Sequence, residues 1–368
     1  MRLIKLMLAA SVAMCVFASC NKQDTAPQVN RLKSVEISLE NVILTKGLAG
    51  DKIEAGDAVQ VNDLKIFLTD AFGNEYTAKV SDGSAAAQSY FEGVPTENVV
   101  FHYVDPNCTK VVAVANLGKD ISFADYKALA PLQIADQQNA KALVLYDEAT
   151  LTSTSEEHND VNVDGTTYLA PVYEAELTLT PRVSRFEVDG FTVYFSEEPL
   201  FNEVKITQIA FLNYYGTTTV VEGTESDLVA SPVDFANQSE VYDWLHNGET
   251  AWYRDSFEVV VTPGDNKKST PKPLAYHMFS CTETPVMLIK LLADGQPAYL
   301  YSKGFYKTDG TAVTEFEEGK IYRMSAEGEV ENDGNLPFDD EDIKPMERCL
   351  EITVEVVDWA VELVHPEF

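Results

Sequence analysis

Apolar and polar positions alternate with a period of two along most of the chain. Ala175, Leu177 and Leu179 alternate with Glu174, Glu176, Thr178 and Thr180, and Phe191, Val193 and Phe195 alternate with Thr192 and Tyr194. Successive side chains on a strand point to opposite faces, so these segments are predicted to be strands with one buried face. The run Lys110-Val-Val-Ala-Val-Ala-Asn116 is apolar between its ends, as in a central strand covered on both sides. Further strands are predicted over 35–44, 61–69, 97–104, 142–146, 203–213, 256–262, 273–280, 286–292, 297–302 and 319–326. Helical signals are few. Ser122 with Asp125 resembles a capping box opening a helix to about Leu129, and Ser239 to Asn247 is closed by Gly248. Many short strands with so little helix predict an all-β fold built of sandwiches.

The most informative segment lies at the C-terminus. Leu350, Ile352, Val354 and Val356 alternate with Glu351, Thr353 and Glu355, and then the phase flips, so that Trp359, Val361 and Leu363 become the apolar set. One face of a continuous strand cannot hold both sets, which predicts a bulge or break at 356–358. Upstream, 8 of the 16 residues from Glu327 to Asp342 are acidic and none is basic, while Gly328, Gly334 and Pro337 interrupt any regular element. Residues 327–348 therefore read as an acidic linker, and 349–368 as a pair of amphipathic strands tethered by it. Such strands either close their own domain or are lent to a neighbouring molecule by strand exchange. Near Thr180-Pro181 one alternating strand ends and another begins, and a proline cannot donate to a ladder, so a domain boundary is expected there.

The N-terminus changes the picture from fold to compartment. Arg2 and Lys5 precede an apolar stretch from Leu6 to Phe17, the layout of a secretory signal peptide over residues 1–19. The stretch is near a dozen residues, short of the roughly 20 that span a bilayer. It ends in Ala18-Ser19-Cys20, which resembles the lipobox at which bacterial lipoproteins are cut after Cys20 receives a diacylglycerol. An ordinary signal peptide with a chance cysteine is the alternative. Residues 20–33 then form a tether, polar from Asn21 to Asn30. Export as a lipoprotein implies palmitate on Cys20 and attachment to the outer membrane at the cell surface.

Charge narrows the partners. Over 368 residues, 27 Lys and Arg stand against 59 Asp and Glu, a net charge of −32 that repels phosphate backbones and excludes nucleic acid. With 45% hydrophobic residues the chain still has enough apolar surface to fold. Candidate chemistry adds little. Besides Cys15 and Cys20, only Cys108, Cys281 and Cys349 remain, too widely separated for a disulfide framework or a zinc site. Asp160-Val-Asn162-Val-Asp164-Gly165 matches half of a calcium loop, but position twelve would be Pro171, so a strand-connecting turn is expected instead. His102, His158, His246, His277 and His365 have no metal-binding spacing, and no nucleophile elbow or phosphate loop is present. No catalytic residue, metal or cofactor is expected, and the chain does not read as an enzyme. Tyr214, Tyr215, Trp244, Trp252 and Tyr253 would form a sugar platform if exposed, although core packing is the ordinary fate of such residues.

Several strings, taken in order, resemble the fimbrillin (FimA-like, type V pilin) family of Bacteroidales-type surface lipoproteins. They are Ala18-Ser19-Cys20-Asn21-Lys22, Val111-Val-Ala-Val-Ala-Asn-Leu-Gly118, Leu177-Thr-Leu-Thr-Pro-Arg182-Val-Ser-Arg185-Phe-Glu-Val188, Ile206-Thr-Gln-Ile209-Ala-Phe-Leu-Asn213, Gly319-Lys-Ile-Tyr322 and Leu350 to Trp359. The resemblance implies two transthyretin-like β-sandwich domains, here 34–180 and 181–326, and a role as a fimbrial structural subunit supporting adhesion. It further implies that the first strand (Val35, Ile37, Leu39, Ile43) is a removable plug spanning 34–46, and that Leu350, Ile352, Val354, Val356, Trp359, Val361 and Leu363 belong to the donor strand that replaces it in another subunit. The family is cut after an arginine following the first strand. This chain has Lys46-Gly47 there, and Arg31-Leu32 lies before the strand. An uncleaved anchor or accessory subunit, and a monomeric lipoprotein binding host proteins or glycans, are the alternatives.

Overall fold

The computed structural model describes residues 32–39, 58–80, 89–95, 98–118, 120, 122–123, 132–139, 142–161, 167–220, 225–229, 239–247, 253–280, 285–307, 309–324, 337–340, 343, 347–358 and 360–363. The N-terminal half opens with β1 (Lys33–Leu39), β2 (Ala58–Val61), β3 (Asp63–Thr69), β4 (Glu75–Tyr76), β5 (Lys79–Val80) and β6 (Tyr90–Glu92). It continues with β7 (Val99–Val104), β8 (Lys110–Ala115), β9 (Leu132–Gln133), β10 (Leu145–Thr150), β11 (Thr152–Val161), β12 (Thr167–Leu177) and β13 (Thr180–Pro181). The C-terminal half begins with β14 (Ser184–Tyr194), β15 (Val204–Leu212), β16 (Tyr214–Thr218), β17 (Glu225–Val229), β18 (Tyr253–Val261) and β19 (Lys267–Met278). It ends with β20 (Val286–Ala293), β21 (Gln296–Lys307), β22 (Ala312–Val313), β23 (Lys320–Met324), β24 (Pro337–Asp339), β25 (Glu347–Asp358) and β26 (Ala360–Leu363). Among the described residues the only α-helix longer than a turn is α1 (Ser239–Asn247), and no helix is long and apolar enough to cross a membrane. The fold is all-β.

The N-terminal domain is a sandwich of one sheet in the order β11-β12-β1-β7-β5 and another in the order β13-β10-β8-β3-β4, with β6 on β3. Its core is mainly aliphatic, including Val35 and Ile37 from β1 and Ile66, Val112 and Val114 from β3 and β8, with Phe67, Phe101 and Phe123 among them. As the uninterrupted apolar run predicts, β8 is central and Val111 to Ala115 are all buried. Because β10 runs on into β11 and β12 into β13, one long hairpin passes from sheet to sheet and ties the two layers together.

In the C-terminal domain the leaf β18-β15-β20-β21 faces the leaf β23-β14-β19 across an aromatic core. Phe186 of β14 stands 5.4 Å from both Phe211 of β15 and Phe305 of β21, ring centre to ring centre. A register shift between Val188 and Gly190 reverses the phase of β14. Phe186 and Val188 before it, and Phe191 and Val193 after it, therefore all reach the same core. The other face of the first stretch, Arg185 and Glu187, is buried against the junction between the domains.

Two expectations need correction. The stretch 327–348 is not interrupted throughout: Pro337–Asp339 pairs with Thr192–Tyr194 in parallel, and Asp340 is fully buried. Its carboxylate accepts from the Ser196 and Leu200 amides at 3.1 and 2.6 Å, so one acidic residue of the run is structural rather than solvated. The predicted strand over 142–146 lies later, at 145–150, and a polar strand, β11, follows it that hydrophobic alternation does not reveal.

Candidate functional site

Of the plug residues, Val35 and Ile37 are fully buried and Leu39 packs against the same core. Ile43, Cys20, Arg31, Lys46, Gly47 and Trp359 lie outside the described residues, whereas Leu32 stands exposed just before β1. β1 is zipped on both sides. It runs parallel to β12, Val35 opposite Tyr173 and Ile37 opposite Ala175, and antiparallel to β7, Val35 opposite Phe101 and Ile37 opposite Val99. A strand parallel to one neighbour in a mainly antiparallel layer has no hairpin to that neighbour, so covalent continuity does not hold it there.

The first residue of β1 is unusual. Lys33 is only 3% exposed, and its Nζ donates to the Cys108 carbonyl oxygen and lies 4.2 Å from the centre of the Tyr173 ring. Burial lowers its pKa, and burial likewise raises that of the Cys108 thiol beside it. Next to it, Ser34 Oγ is 3.1 Å from His102 Nδ1, and the His102 and His158 rings are 6.1 Å apart. Two histidines 56 residues apart in sequence thus meet beside the plug, a pairing no spacing rule finds. Among the described residues no three potential ligands cluster as a metal site would require.

The C-terminal segment is placed on its own chain. Glu347 to Val354 run parallel to β21, with Ile352 opposite Phe305, and Glu355 to Asp358 run antiparallel to β23, with Val356 opposite Tyr322. β25 therefore bridges the two leaves, paired on one side at a time. Against the expected bulge or break at 356–358, β25 runs unbroken to Asp358 and instead changes partner after Val354; β26 lies on the N-terminal domain, where Val361 and Leu363 pair in parallel with Val59 and Val61 of β2. Leu350, Ile352, Val354 and Val356 thus lie in their own domain's sheet, and the last two candidate residues on the other domain.

The junction that β25 and β26 cross is held by a buried polar network. Glu187 accepts from Arg185 Nε at 2.7 Å and from Arg323 Nε at 2.9 Å, and Arg185 Nη1 is 3.0 Å from His277 Nε2. The Gln137 carbonyl of the N-terminal domain lies 2.6 Å from His277 Nδ1. Since arginine only donates and a carbonyl only accepts, His277 is a neutral imidazole protonated at Nδ1. Burial first, and then Arg185, push its pKa down to about 3. The sequence displays Arg185 and Glu187 but not their partners.

The described side chains of the aromatic set do not make an exposed platform. Trp244 is fully buried against Leu212, Leu288 and Tyr299, and Tyr214 is buried too. Tyr215 is half-buried, and Trp252 lies outside the described residues.

Comparison of structures agrees with this architecture. Over 91% of this chain and 99% of its own, a candidate cell adhesion protein from Parabacteroides distasonis superposes with a TM-score of 0.54 at 15% identity. A fimbrilin from Porphyromonas gingivalis superposes over 91% of this chain and 99% of its own, with a TM-score of 0.50 at 12% identity. The chain has the fimbrilin fold. No family model and no curated protein sequence matches it.

Proposed function

We propose that this chain is a structural subunit of a cell-surface fimbria, made as a lipoprotein on Cys20 and assembled by strand exchange. In this reading the removal of β1, by cleavage after Lys46, opens a groove between β12 and β7, and β25 of another copy fills it.

The observation that supports the reading most strongly is the direction of the two strands. β1 starts at the pole of the N-terminal domain farthest from the junction, beside the 104–109 turn, and runs towards the junction. β25 starts at the far pole of the C-terminal domain, since Glu347 pairs with Tyr299 near the start of β21, and it too runs towards the junction, where Asp358 pairs with Lys320. If two copies stack far pole to far pole, head to tail, β25 of one can cross the contact and enter the groove of the next in the same sense as β1. The likeness to a fimbrilin and to a candidate cell adhesion protein supports a role in fimbriae and adhesion over a catalytic one. The lipid would hold the precursor at the outer membrane, and the partners would be other fimbrial subunits.

N-terminal sequencing of surface material tests the processing. A mature start at Gly47 is the expected result; uniform retention of acylated Cys20 with β1 would leave an uncleaved anchor or accessory subunit instead.

A further inference from the structure

Two cavities among the described residues differ in charge. One, of about 540 Å³, lies on the outer face of β1 and β12 and is lined by Glu36, Glu174 and Glu176. Glu36 stands directly opposite Glu174, so this cavity repels anions. The other, of about 520 Å³, lies in the angle between the end of α1 and the leaf β18-β15-β20-β21 of the C-terminal domain. No carboxylate lines it, a local reversal in a chain of net charge −32.

Strand alternation builds this second cavity. Ile206, Ile209, Ile289 and Leu291 point into the aromatic core, so Gln208 and Lys290 fall on the opposite face, beside the Ala210, Leu288 and Tyr299 that Trp244 and Leu245 of α1 cover. A register shift between Ile206 and Gln208 lets the consecutive Thr207 and Gln208 both line the cavity. On the helix side the rim is the His246 ring, stacked at 4.1 Å on the exposed Tyr242 ring.

The polar groups leave donors over. Lys290 Nζ donates to Trp244 O at 2.9 Å, which caps the end of α1 and uses one of its three N–H groups. Gln208 Nε2 donates to Ser256 Oγ at 2.6 Å, which leaves the Ser256 proton to donate in turn. Gln208 Oε1 is buried with no hydrogen-bond partner, so the Ser256 bond alone holds that amide. Among the described residues no carboxylate pairs with Lys290; Glu258 on the neighbouring strand is 3.5 Å from Lys205 instead. Burial, and then the nearby Arg254, lower the Lys290 pKa. A partly desolvated ammonium beside a second cation, with no counter-ion, is a place for an anion.

We infer that this cavity binds an acidic sugar, its carboxylate on Lys290 and a neighbouring hydroxyl on the Gln208 amide. The carboxylate answers the uncompensated ammonium, hydroxyls suit side-chain amides that both donate and accept, and the apolar face of the ring meets Leu292 and Pro297. The volume falls in the range of small-molecule pockets, about 300–1,000 Å³. The inference goes beyond the structural role and does not depend on it, because every lining residue belongs to one chain and none to β1 or β25.

The test titrates the chain retaining β1 with D-glucuronate, read by the amide NMR shifts of Gln208 and Lys290, with D-glucose and acetate as separate arms. Glucuronate is expected to bind at least ~10-fold more tightly than either, the ratio a charge-assisted hydrogen bond gives, and Lys290→Met should remove its advantage over glucose. Should Lys290→Met loosen α1, Ser256→Ala, at an exposed strand position, still reads the site and should weaken glucuronate about 3-fold. Glucuronate binding no tighter than glucose or acetate, or unchanged by both substitutions, overturns the inference. SDS-resistant ladders from the chain starting at Gly47 report strand exchange separately: ladders without glucuronate binding sink the site alone, and binding without ladders sinks the exchange alone.

Discussion

β1 and β25 are both parallel to one neighbour and antiparallel to another, yet they are held differently. β1 meets β12 and β7 at the same residues, so Val35 and Ile37 sit between two ladders. β25 meets β21 along 347–354 and β23 along 355–358, so among the described residues each stretch is bonded along one edge. A strand zipped on one edge opens residue by residue, while one zipped on both must break two ladders at each step. Under the proposed exchange, the difference would divide the labour: β1 would need a covalent cut before it leaves, whereas β25 could peel from its own sheet.

The sharpest way to break this comparison is a charge in the plug. Ile37→Asp should destabilise the N-terminal domain by more than about 4 kcal/mol, the range of an unpaired buried charge, and leave the C-terminal transition in place. A calorimetric trace in which both domains melt as in the wild type would remove β1 from the core.

Acid comes next, because it weakens the junction that both strands approach. A histidine at about 3 in the fold and about 6.5 unfolded takes up its proton only on unfolding. Stability is therefore complete above pH 6.5 and falls as pH drops towards 3, by up to about 1.4 kcal/mol per unit. His277→Gln should flatten that slope in a urea titration, and an unchanged slope would take His277 out of the junction.

Ile352→Pro removes a backbone donor from β25 and should cost about 1–3 kcal/mol in the C-terminal domain alone. Hydrogen exchange sharpens the contrast without mutation: amides of 347–354 should exchange roughly 10-fold sooner than those of 34–37, and the reverse order would invert the argument. The smallest effect is a gain. Lys33→Met replaces a desolvated ammonium with an apolar chain of similar length and should raise stability by about 1 kcal/mol, read as a higher Tm of the N-terminal domain.

Much of this was legible in the sequence. Alternation marked the strands, the apolar run of 110–116 marked the central one, and Ser239 to Gly248 marked the helix. What stayed hidden was non-local. β11, rich in Thr, Ser, Glu, His and Asn, shows no apolar alternation, and it is placed by its ladder with β12. Asp340 looked like one more linker charge because its amide partners at Ser196 and Leu200 are about 140 residues away. β25 was visible as an amphipathic strand, but alternation says which residues share a face and not which strand lies beside them. The buried Lys33 and the His102–His158 pair were invisible for the same reason.

The central claim is that β1 and β25 of different copies exchange. The direct measurement compares the chain starting at Gly47, the chain retaining β1, and the Gly47 chain lacking residues 349–368, each run unboiled on SDS gels. The account predicts an SDS-resistant ladder from the first and monomers from the other two. Monomers from all three, with the N-terminal domain of the Gly47 chain still folded, would contradict it.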